Sequence, residues 1–349
     1  MDKETILQVS NLHVSFHTLE DTVQIIRGVN FDLKKGETLA IVGESGSGKS
    51  VLAQALMGLL TKNFQIKGDI SYKKWALNDL KEEEWNTIRG KEISMVFQDP
   101  LTSLDPTMKI GLQIAEPLIR HQKIKRKEAL KYVLEMMKKV GFANAEKHIN
   151  DYPYQWSGGM RQRAVLAMAL ITKPEILIAD EPTTALDATT QLQILHFIKE
   201  KQKNEGSSTI FITHDLGVVA GIADRVAVMY AGKIVESGTV DEIFYNPQHP
   251  YTWQLLDSLL SASESWEKMK FISETPVAFT QIIEGDAFAP RNMFALDIDF
   301  EEAPPLFQVS QTHYAATWLL DSRAPKVVPP ESILRRWEKW ALLKERRRK

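Results

Sequence analysis

Three absences limit what this 349-residue chain can be. It has no cysteine, which excludes a disulfide framework, a thiol nucleophile, and zinc or iron–sulfur clusters held by cysteine. It has almost no net charge, because 43 Lys and Arg residues oppose 45 Asp and Glu residues, so no global positive field favours nucleic acid. Its longest apolar runs, such as 164–171, are far shorter than the roughly 20 residues that span a bilayer. Because Met1–Glu4 does not open a signal peptide either, we expect a soluble protein.

The chain does contain an alternation of strands and helices. Short apolar or alternating runs predict strands at 6–16, 23–33, 38–42, 68–72, 93–97, 176–179 and 209–213, and around 231–232. Apolar residues at helical spacing predict helices at 51–60, 110–121, 125–140, 160–171, 190–204 and 216–223. This order predicts an α/β fold with a largely parallel sheet, and the alternation fails after about Pro250.

A glycine-rich loop stands between the apolar run Thr38–Val42 and the following helix. It reads GESGSGKS and fits the phosphate-loop pattern G-x-x-x-x-G-K-[ST]. Glycines let backbone N–H groups turn toward phosphates, Lys49 adds a cation, and the Ser50 hydroxyl suits Mg²⁺. A plain turn would not require Lys and then Ser after its last glycine. The predicted nucleotide-binding residues are Gly43, Glu44, Ser45, Gly46, Ser47, Gly48, Lys49, Ser50 and Val51.

A second motif, Ile176–Glu181, is an apolar strand that ends in two acids. Ligands bind at the carboxyl ends of strands in parallel sheets. Asp180 is therefore expected to hold Mg²⁺, and Glu181 to act as general base on the attacking water, an effect worth roughly 10²–10⁴ in rate. Alone, the motif is equally consistent with a solvated acidic turn, but the phosphate loop favours the catalytic interpretation.

Between these motifs, Trp156–Met160 resembles the signature of ATP-binding cassette (ABC) ATPases of membrane transporters. The resemblance implies that Ser157, Gly158 and Gly159 bind the γ-phosphate of ATP on the opposite subunit, so that a dimer is needed. Trp156 and Met160 depart from the commoner Leu-Ser-Gly-Gly-Gln form but leave the phosphate-binding residues intact. The implied fold is a P-loop NTPase core with an antiparallel β subdomain, an inserted helical subdomain at about 101–157, and an irregular C-terminal extension.

The same resemblance assigns four further positions. Gln98 matches the glutamine that approaches Mg²⁺ and the water, in a loop that touches the membrane subunits. Ala185–Asp187 matches the D-loop, in which Asp187 acts across the dimer, and His214 matches the switch histidine at the γ-phosphate. Phe16 is expected to stack on adenine. An alternative stays open, in which Phe16 is a core residue of its strand and the neighbouring His17 stacks on adenine in its place.

The segment Asn246–Thr252 resembles one typical of oligopeptide and dipeptide permease ATPases, shared with nickel permeases. Phe288–Arg291 and His313–Leu320 resemble the long C-terminal extension of the D-type subunit, which pairs with a homologous F-type ATPase. The expected domains are a nucleotide-binding domain at 1–260, the extension at 261–322 and a basic tail at 323–349.

This resemblance implies a peripheral protein at the cytoplasmic face of the cell membrane. It would bind ATP and Mg²⁺ and power oligopeptide import through two membrane-spanning permease subunits, served indirectly by an external peptide-binding protein. Import of dipeptides or nickel is the alternative. A soluble ABC ATPase acting on nucleic acid or ribosomes is disfavoured by the near-neutral charge, and a non-hydrolysing sensor by the intact Lys49, Asp180, Glu181 and His214. No nucleic-acid partner is expected.

D-type extensions that resemble this one usually carry four cysteines, but here those places hold Asp286, Asn292, Asp299 and Thr317. We therefore expect no iron–sulfur cluster. Instead we predict that an aromatic cluster holds the extension, formed by Phe288, Phe294, Phe300, Phe307 and Trp318.

The tail, Pro325–Lys349, is basic and amphipathic and carries Ile333, Trp337 and Trp340 on one helical face. Two interpretations stay open for it. The tail could grip a partner or an anionic membrane surface, or its tryptophans could pack on their own domain.

Overall fold

The structure is a computed structural model that describes residues 4–17, 21–184, 186–261 and 283–348. Its strands are β1 (Thr5–His17), β2 (Thr22–Lys34), β3 (Thr38–Val42), β4 (Phe64–Tyr72), β5 (Trp75–Ala76), β6 (Ile93–Val96), β7 (Ile176–Asp180), β8 (Ser208–Thr213), β9 (Arg225–Tyr230), β10 (Lys233–Thr239), β11 (Phe307–Gln308) and β12 (Tyr314–Ala315). Its helices are α1 (Lys49–Leu56), α2 (Glu82–Ile88), α3 (Pro100–Ser103), α4 (Ile110–Gln122), α5 (Arg126–Lys139), α6 (Ala145–His148), α7 (Gly158–Leu170), α8 (Ala188–Glu205), α9 (Leu216–Ile222), α10 (Val240–Tyr245), α11 (Pro250–Ser261), α12 (Asp297–Glu301) and α13 (Glu331–Arg348).

The central sheet positions the candidate site. Its strand order in the described residues is β11-β12-β10-β9-β3-β8-β7-β6, in which β9, β3, β8, β7 and β6 run parallel. Every residue of β3, β7 and β8 is buried, which explains why β3 and β7 are almost continuously apolar in sequence. The mixed α/β fold with a parallel core, predicted from the sequence, is confirmed.

A separate antiparallel sheet, in the order β2-β1-β4-β5, covers one face of the central sheet. Apolar side chains of β1 and β2, such as Leu12 and Ile26, share one core with α1 and with inward residues of β3 and β7, such as Ile41 and Ile178. The helix after the phosphate loop is thereby packed between two sheets.

Helices α4, α5 and α7 form a helical unit with its own apolar core, which includes Ile114, Val133 and Trp156. The same core continues through Val165 and Leu166 of α7 to Leu177 of β7 in the central sheet. Because α7 belongs to both, the helix that begins at the Ser-Gly-Gly motif connects the helical unit to the sheet.

The C-terminal extension joins the central sheet through β12, which pairs antiparallel with β10. The predicted single aromatic cluster is wrong. Phe288 packs with Tyr230 and Tyr251, Phe294 packs with Trp253, and Phe307 packs with Trp318. Phe300 is 53% exposed. The rings therefore do not form one cluster, because each packs on the apolar surface that its own turn faces. Phe288 and Phe294 contact rings of the nucleotide-binding core, whereas Phe307 and Trp318 contact each other.

The four residues at the usual cysteine positions stabilise turns of the extension. Each side-chain oxygen accepts a backbone N–H, in the pairs Asp286–Phe288, Asn292–Phe294, Asp299–Leu296 and Thr317–Leu319. Side chains of Asp, Asn and Thr commonly close turns in this way.

The tail helix α13 packs on α10 and on the loop before α11. Ile333 is fully buried, and the indole N–H groups of Trp337 and Trp253 both donate to the Pro247 carbonyl at 3.0 Å. Trp340 is 9% exposed. Of the two interpretations of the tail, this packing favours the one in which its tryptophans contact their own domain. No helix in the described part of the chain is long and apolar enough to cross a membrane.

Candidate active site

The phosphate-loop sequence forms a tight turn between β3 and α1. A Cβ atom on Gly43 would lie 2.1 Å from the Met229 carbonyl oxygen, and Gly48 has a φ of 102°, in the region that favours glycine. The Gly232 N–H donates to the Ser47 carbonyl at 2.9 Å and holds the turn from the β9–β10 hairpin. A close backbone contact therefore requires glycine at 43, and a positive φ favours it at 48.

The ammonium group of Lys49 lies inside the loop. It donates to the Gly43 carbonyl at 2.8 Å, to the Glu44 carbonyl at 2.7 Å and to the Ser47 hydroxyl at 3.3 Å. Burial lowers the pKa of Lys49, and the carboxylates of Glu181 and two other acids oppose that shift. A buried cation surrounded by neutral carbonyls is well suited to an anionic ligand.

Asp180, the last residue of β7, is buried beside Lys49. Burial raises the pKa of Asp180, whereas a hydrogen bond from the Ser50 hydroxyl and the charge of Lys49 lower it. Its Oδ1 atom has no hydrogen-bond partner among the described residues. A buried carboxylate oxygen without a partner, next to a hydroxyl, fits a hard divalent cation.

Glu181 contacts three side chains, two of which come from distant parts of the chain. His214 Nδ1, after β8, lies 3.0 Å from Oε1, while Gln98 Nε2, after β6, and the Thr184 hydroxyl donate to Oε2 at 3.3 and 3.1 Å. The carboxyl ends of three neighbouring strands therefore meet at this carboxylate. Thr184 cannot be singled out from the sequence, because a threonine in a loop carries no distinctive pattern.

The backbone and charge of Glu181 are also unusual. Its φ is 48°, a left-handed conformation that costs a non-glycine residue of the order of 1–3 kcal/mol and is often found at functional sites. Burial acts to raise the pKa of Glu181, but the bonds from His214 and Thr184 and the charge of Lys49 outweigh it, and the pKa is lowered. The group is therefore a carboxylate near neutral pH.

The signature and D-loop residues lie at the N-termini of their own helices. The Ser157 hydroxyl caps α7 and accepts from the Met160 N–H at 3.4 Å, and Ser157 and Gly158 are exposed, with Gly159 half-buried. Asp187 caps α8 through the N–H and hydroxyl of Thr190, at 3.0 and 2.7 Å. Ala185 lies outside the described residues. The N-terminus of α7 is thus capped by Ser157 and exposed to solvent.

Phe16 stands near the end of β1. Its ring is half-buried and packs on Phe64 of β4, with ring centroids 4.8 Å apart at 45°. His17, the alternative considered from the sequence, is exposed and lies 2.9 Å from the Thr22 hydroxyl through its Nδ1 atom. Phe16 thus has one ring neighbour and an accessible remaining surface.

Comparison with known proteins identifies the family. The ABC transporter family matches residues 26–184, and the C-terminal region of oligopeptide/dipeptide transporters matches 235–298. The chain is 63% identical over 346 residues to the dipeptide transport ATP-binding protein DppD of Lactococcus lactis, covering 99% of both proteins. It belongs to the ABC transporter family. This confirms the recognition made from the sequence motifs.

Further relatives agree with this assignment. The oligopeptide transport ATP-binding protein OppD of Bacillus subtilis is 55% identical over 339 residues, 96% of this chain and 95% of OppD. Among solved structures, the dimeric ATP-binding cassette MJ0796 bound to ADP and Pi is similar, with a TM-score of 0.62 and 29% identity. That match covers 67% of this chain and 99% of MJ0796.

This ABC-family protein has two further residues at its phosphate loop that sequence reasoning did not assign to the site. The Glu44 N–H donates to the Tyr251 hydroxyl at 2.9 Å, and Arg291 pairs with the Glu44 carboxylate. Both residues fall in segments that the sequence marks as typical of the branch. Nothing in those segments indicates that they contact the loop.

Proposed function

We propose that this protein is the ATP-hydrolysing subunit of an importer that moves oligopeptides through membrane-spanning permease subunits. The names of its relatives support this, since DppD and OppD are a dipeptide and an oligopeptide transport ATP-binding protein. The observation that carries the proposal is the Glu181 carboxylate, which His214, Gln98 and Thr184 orient at the strand ends next to the phosphate loop.

In the proposed reaction, Glu181 is the general base. Its carboxylate takes a proton from water as the water oxygen bonds to the γ-phosphorus and the bond to the ADP oxygen breaks. His214 orients the carboxylate and contacts the γ-phosphate, and Gln98 positions the water. The lowered pKa of Glu181 supports this role, because it keeps the base ionised at neutral pH.

The ligands of the nucleotide follow from the loop geometry. Lys49 and the loop residues 43–51 bind the phosphates, the loop through backbone N–H groups other than that of Glu44, which donates to the Tyr251 hydroxyl. Phe16 stacks on the adenine. Mg²⁺ would be held by Asp180, Ser50 and Gln98, and when bound it would neutralise charge on the phosphates. The unpartnered Oδ1 of Asp180 supports this assignment.

The site is completed by a second ATPase subunit. Ser157, Gly158 and Gly159 sit at an exposed helix N-terminus, and we assign them, with Asp187, to nucleotide bound on the partner. The proposed partner is a homologous F-type ATPase, so that the active form is a heterodimer. The dimeric form of the similar cassette MJ0796 is consistent with this proposal.

The loop after Gln98 is the proposed contact with the two permease subunits. Phe97 and Leu101 are 36% and 60% exposed, an apolar surface suited to helices of a membrane protein. The protein would then lie peripherally at the cytoplasmic face of the membrane and meet the external peptide-binding protein only indirectly. The proposed division is a nucleotide-binding domain at 1–260, including the helical subdomain at about 101–157, an extension at 261–322 and a tail at 323–349.

The test uses the complex of this chain with its partner ATPase and permease subunits in liposomes. Glu181→Gln is expected to keep ATP binding but to lower ATP turnover and peptide uptake by about 10²-fold or more, because Gln is a poor base. The matched control is Glu200→Gln on α8, which is exposed and should leave both unchanged. Near-normal turnover in Glu181→Gln would refute the base assignment, and ATP-dependent uptake of another solute but not peptides would refute the transport assignment.

A further inference from the structure

The phosphate loop is tied to the C-terminal extension by an ion pair. Arg291 Nη1 donates to Glu44 Oε2 at 2.9 Å and Nη2 donates to Oε1 at 3.0 Å, so both oxygens of the carboxylate are held. The Arg291 side chain is 5% exposed and that of Glu44 is 27% exposed. A bidentate pair shielded from water is both stronger and more directional than an ordinary surface pair.

The surroundings of Arg291 fix its direction. It lies at the end of a short 3₁₀ turn, Ala289–Arg291, and its Nη1 also donates to the Tyr230 hydroxyl at 3.2 Å. The rings of Phe288, Tyr230 and Tyr251 pack on one another with centroids 4.6–5.4 Å apart. Arg291 is thus presented to the loop by a rigid aromatic group that spans the extension and the core.

The charge of Glu44 makes this pair relevant to the ligand. Glu44 is part of the loop, and its carbonyl accepts from the Lys49 ammonium at 2.7 Å. An unpaired carboxylate in this loop would repel the phosphates that the loop is proposed to bind. The Glu44 N–H also donates to the Tyr251 hydroxyl. Arg291 of the extension therefore holds the Glu44 carboxylate, and Tyr251, in the segment before the extension, holds its backbone N–H.

We propose that Arg291 is a positioning residue for nucleotide binding, which neutralises and orients Glu44 so that the phosphate loop accepts ATP. This inference rests on the proposed function as an ATPase. The C-terminal extension therefore contributes to the affinity of the nucleotide site without touching the nucleotide. By reciprocity, bound ATP stabilises the turn that carries Arg291.

The test measures ATP affinity and steady-state kinetics of the full chain in complex with its partner subunits. Arg291→Gln is expected to raise the Kd and KM for ATP by about tenfold, with kcat changed by less than about threefold, because it leaves a negative charge near the phosphates. The matched control is Arg323→Gln. Arg323, the first residue of the tail, also forms a bidentate pair, with Asp321 of the extension. Its side chain is 82% exposed, and its variant should bind ATP as the wild type does.

Two further variants separate charge from structure. Glu44→Gln removes the repelling charge and is expected to bind ATP at least as tightly as the wild type. Glu44→Gln combined with Arg291→Gln should bring the Kd back to within about threefold of the wild type, because neither charge remains. If the pair had only a structural role, all three variants would bind ATP more weakly than the wild type, to similar extents. That result would overturn the inference.

Hydrogen exchange tests the reciprocal effect. In the wild type, saturating ATP should slow exchange of backbone amides in 286–296, and in Arg291→Gln this protection should be reduced. Unchanged exchange in the wild type, or an unchanged Kd in Arg291→Gln, would overturn the inference while leaving the ATPase proposal intact. A wild-type complex that does not bind ATP would overturn both.

Discussion

A buried carboxylate, Glu236 of β10, provides a strong test of how the C-terminal extension is held. Its side chain is inaccessible to solvent. Oε1 accepts from the Gln248 N–H at 2.6 Å and lies 2.7 Å from His313 Nε2, while Oε2 accepts from the His249 N–H at 3.1 Å. One side chain thereby connects β10, the loop before α11, and the loop before β12.

The cost of removing this carboxylate follows from its partners. Glu236→Leu has similar volume but leaves up to three buried donors without an acceptor, each costing about 1–3 kcal/mol. Relaxation of the surrounding groups reduces such a sum, so that the lower part of its range applies, about 3–5 kcal/mol. We therefore expect a loss of about 3–5 kcal/mol in the free energy of unfolding. Glu236→Gln keeps one acceptor oxygen, and we expect it to lose about 1–3 kcal/mol.

The assay is urea unfolding of the nucleotide-free chain, followed by circular dichroism and by tryptophan fluorescence. The two probes must coincide for a single free energy to be assigned. Glu301→Leu, at an exposed position of the extension, is the control and should change stability by less than about 0.5 kcal/mol. A loss below about 1 kcal/mol in Glu236→Leu would refute the reasoning, because it would mean that the donors find other acceptors.

Other predictions concern the nucleotide, the dimer and metal. Lys49→Ala should weaken ATP binding, measured by calorimetry, by at least about tenfold, because it removes a buried cation. The control Lys203→Ala, at an exposed position, should leave the affinity unchanged. An ATP affinity of Lys49→Ala equal to that of the wild type would contradict this. The isolated chain should hydrolyse ATP slowly and gain activity with the proposed homologous partner, since we assign Ser157–Gly159 to nucleotide bound on that partner. Full activity in a strictly monomeric preparation would contradict this. Elemental analysis should find no stoichiometric iron or zinc, and chelation without nucleotide should leave the melting temperature unchanged, because Asn292 and Asp299 bond to backbone N–H groups; chelator-induced melting would be the contrary result.

The parts of the fold that could be predicted from the sequence are those in which local pattern and burial agree. The run Ile176–Ala179 is apolar because β7 is buried on both faces, and the two acids after it mark where the strand reaches the sheet edge. The α8 helix was expected from 190 and begins at Ala188, where Asp187 accepts the N–H that caps it. From such local signals, the main residues of the candidate site can be assigned to the correct strands, loops and helices in the correct order along the chain.

Other features depend on distant contacts and leave little local signal. The β4 strand begins at Phe64 and not at Gly68, which has a φ of 93° and lies so close to β1 that a Cβ would be 2.2 Å from the Asn11 carbonyl. A glycine interpreted as the start of a strand is therefore an irregular position within it. The β12 strand is formed by Tyr314 and Ala315 alone, too few residues for any periodicity. It forms because β10 presents an edge for pairing.

The residues around Glu44 show why a motif alone cannot describe this site. In the phosphate-loop pattern Glu44 occupies a variable position, so the pattern assigns no role to its side chain. A negative side chain at that position is unfavourable for a loop that binds phosphates unless a cation neutralises it, and the only cation within the motif, Lys49, donates to the loop carbonyls. The compensating charge comes from Arg291, which is far away in sequence and close only because Phe288 anchors its turn against Tyr230. It follows that, in a chain with glutamate at this place, the charge of the phosphate loop is balanced by a residue of the C-terminal extension. The effect of a substitution in the extension should therefore be measured as a change in ATP affinity, and the effect of one in the loop as a change in the stability of the extension.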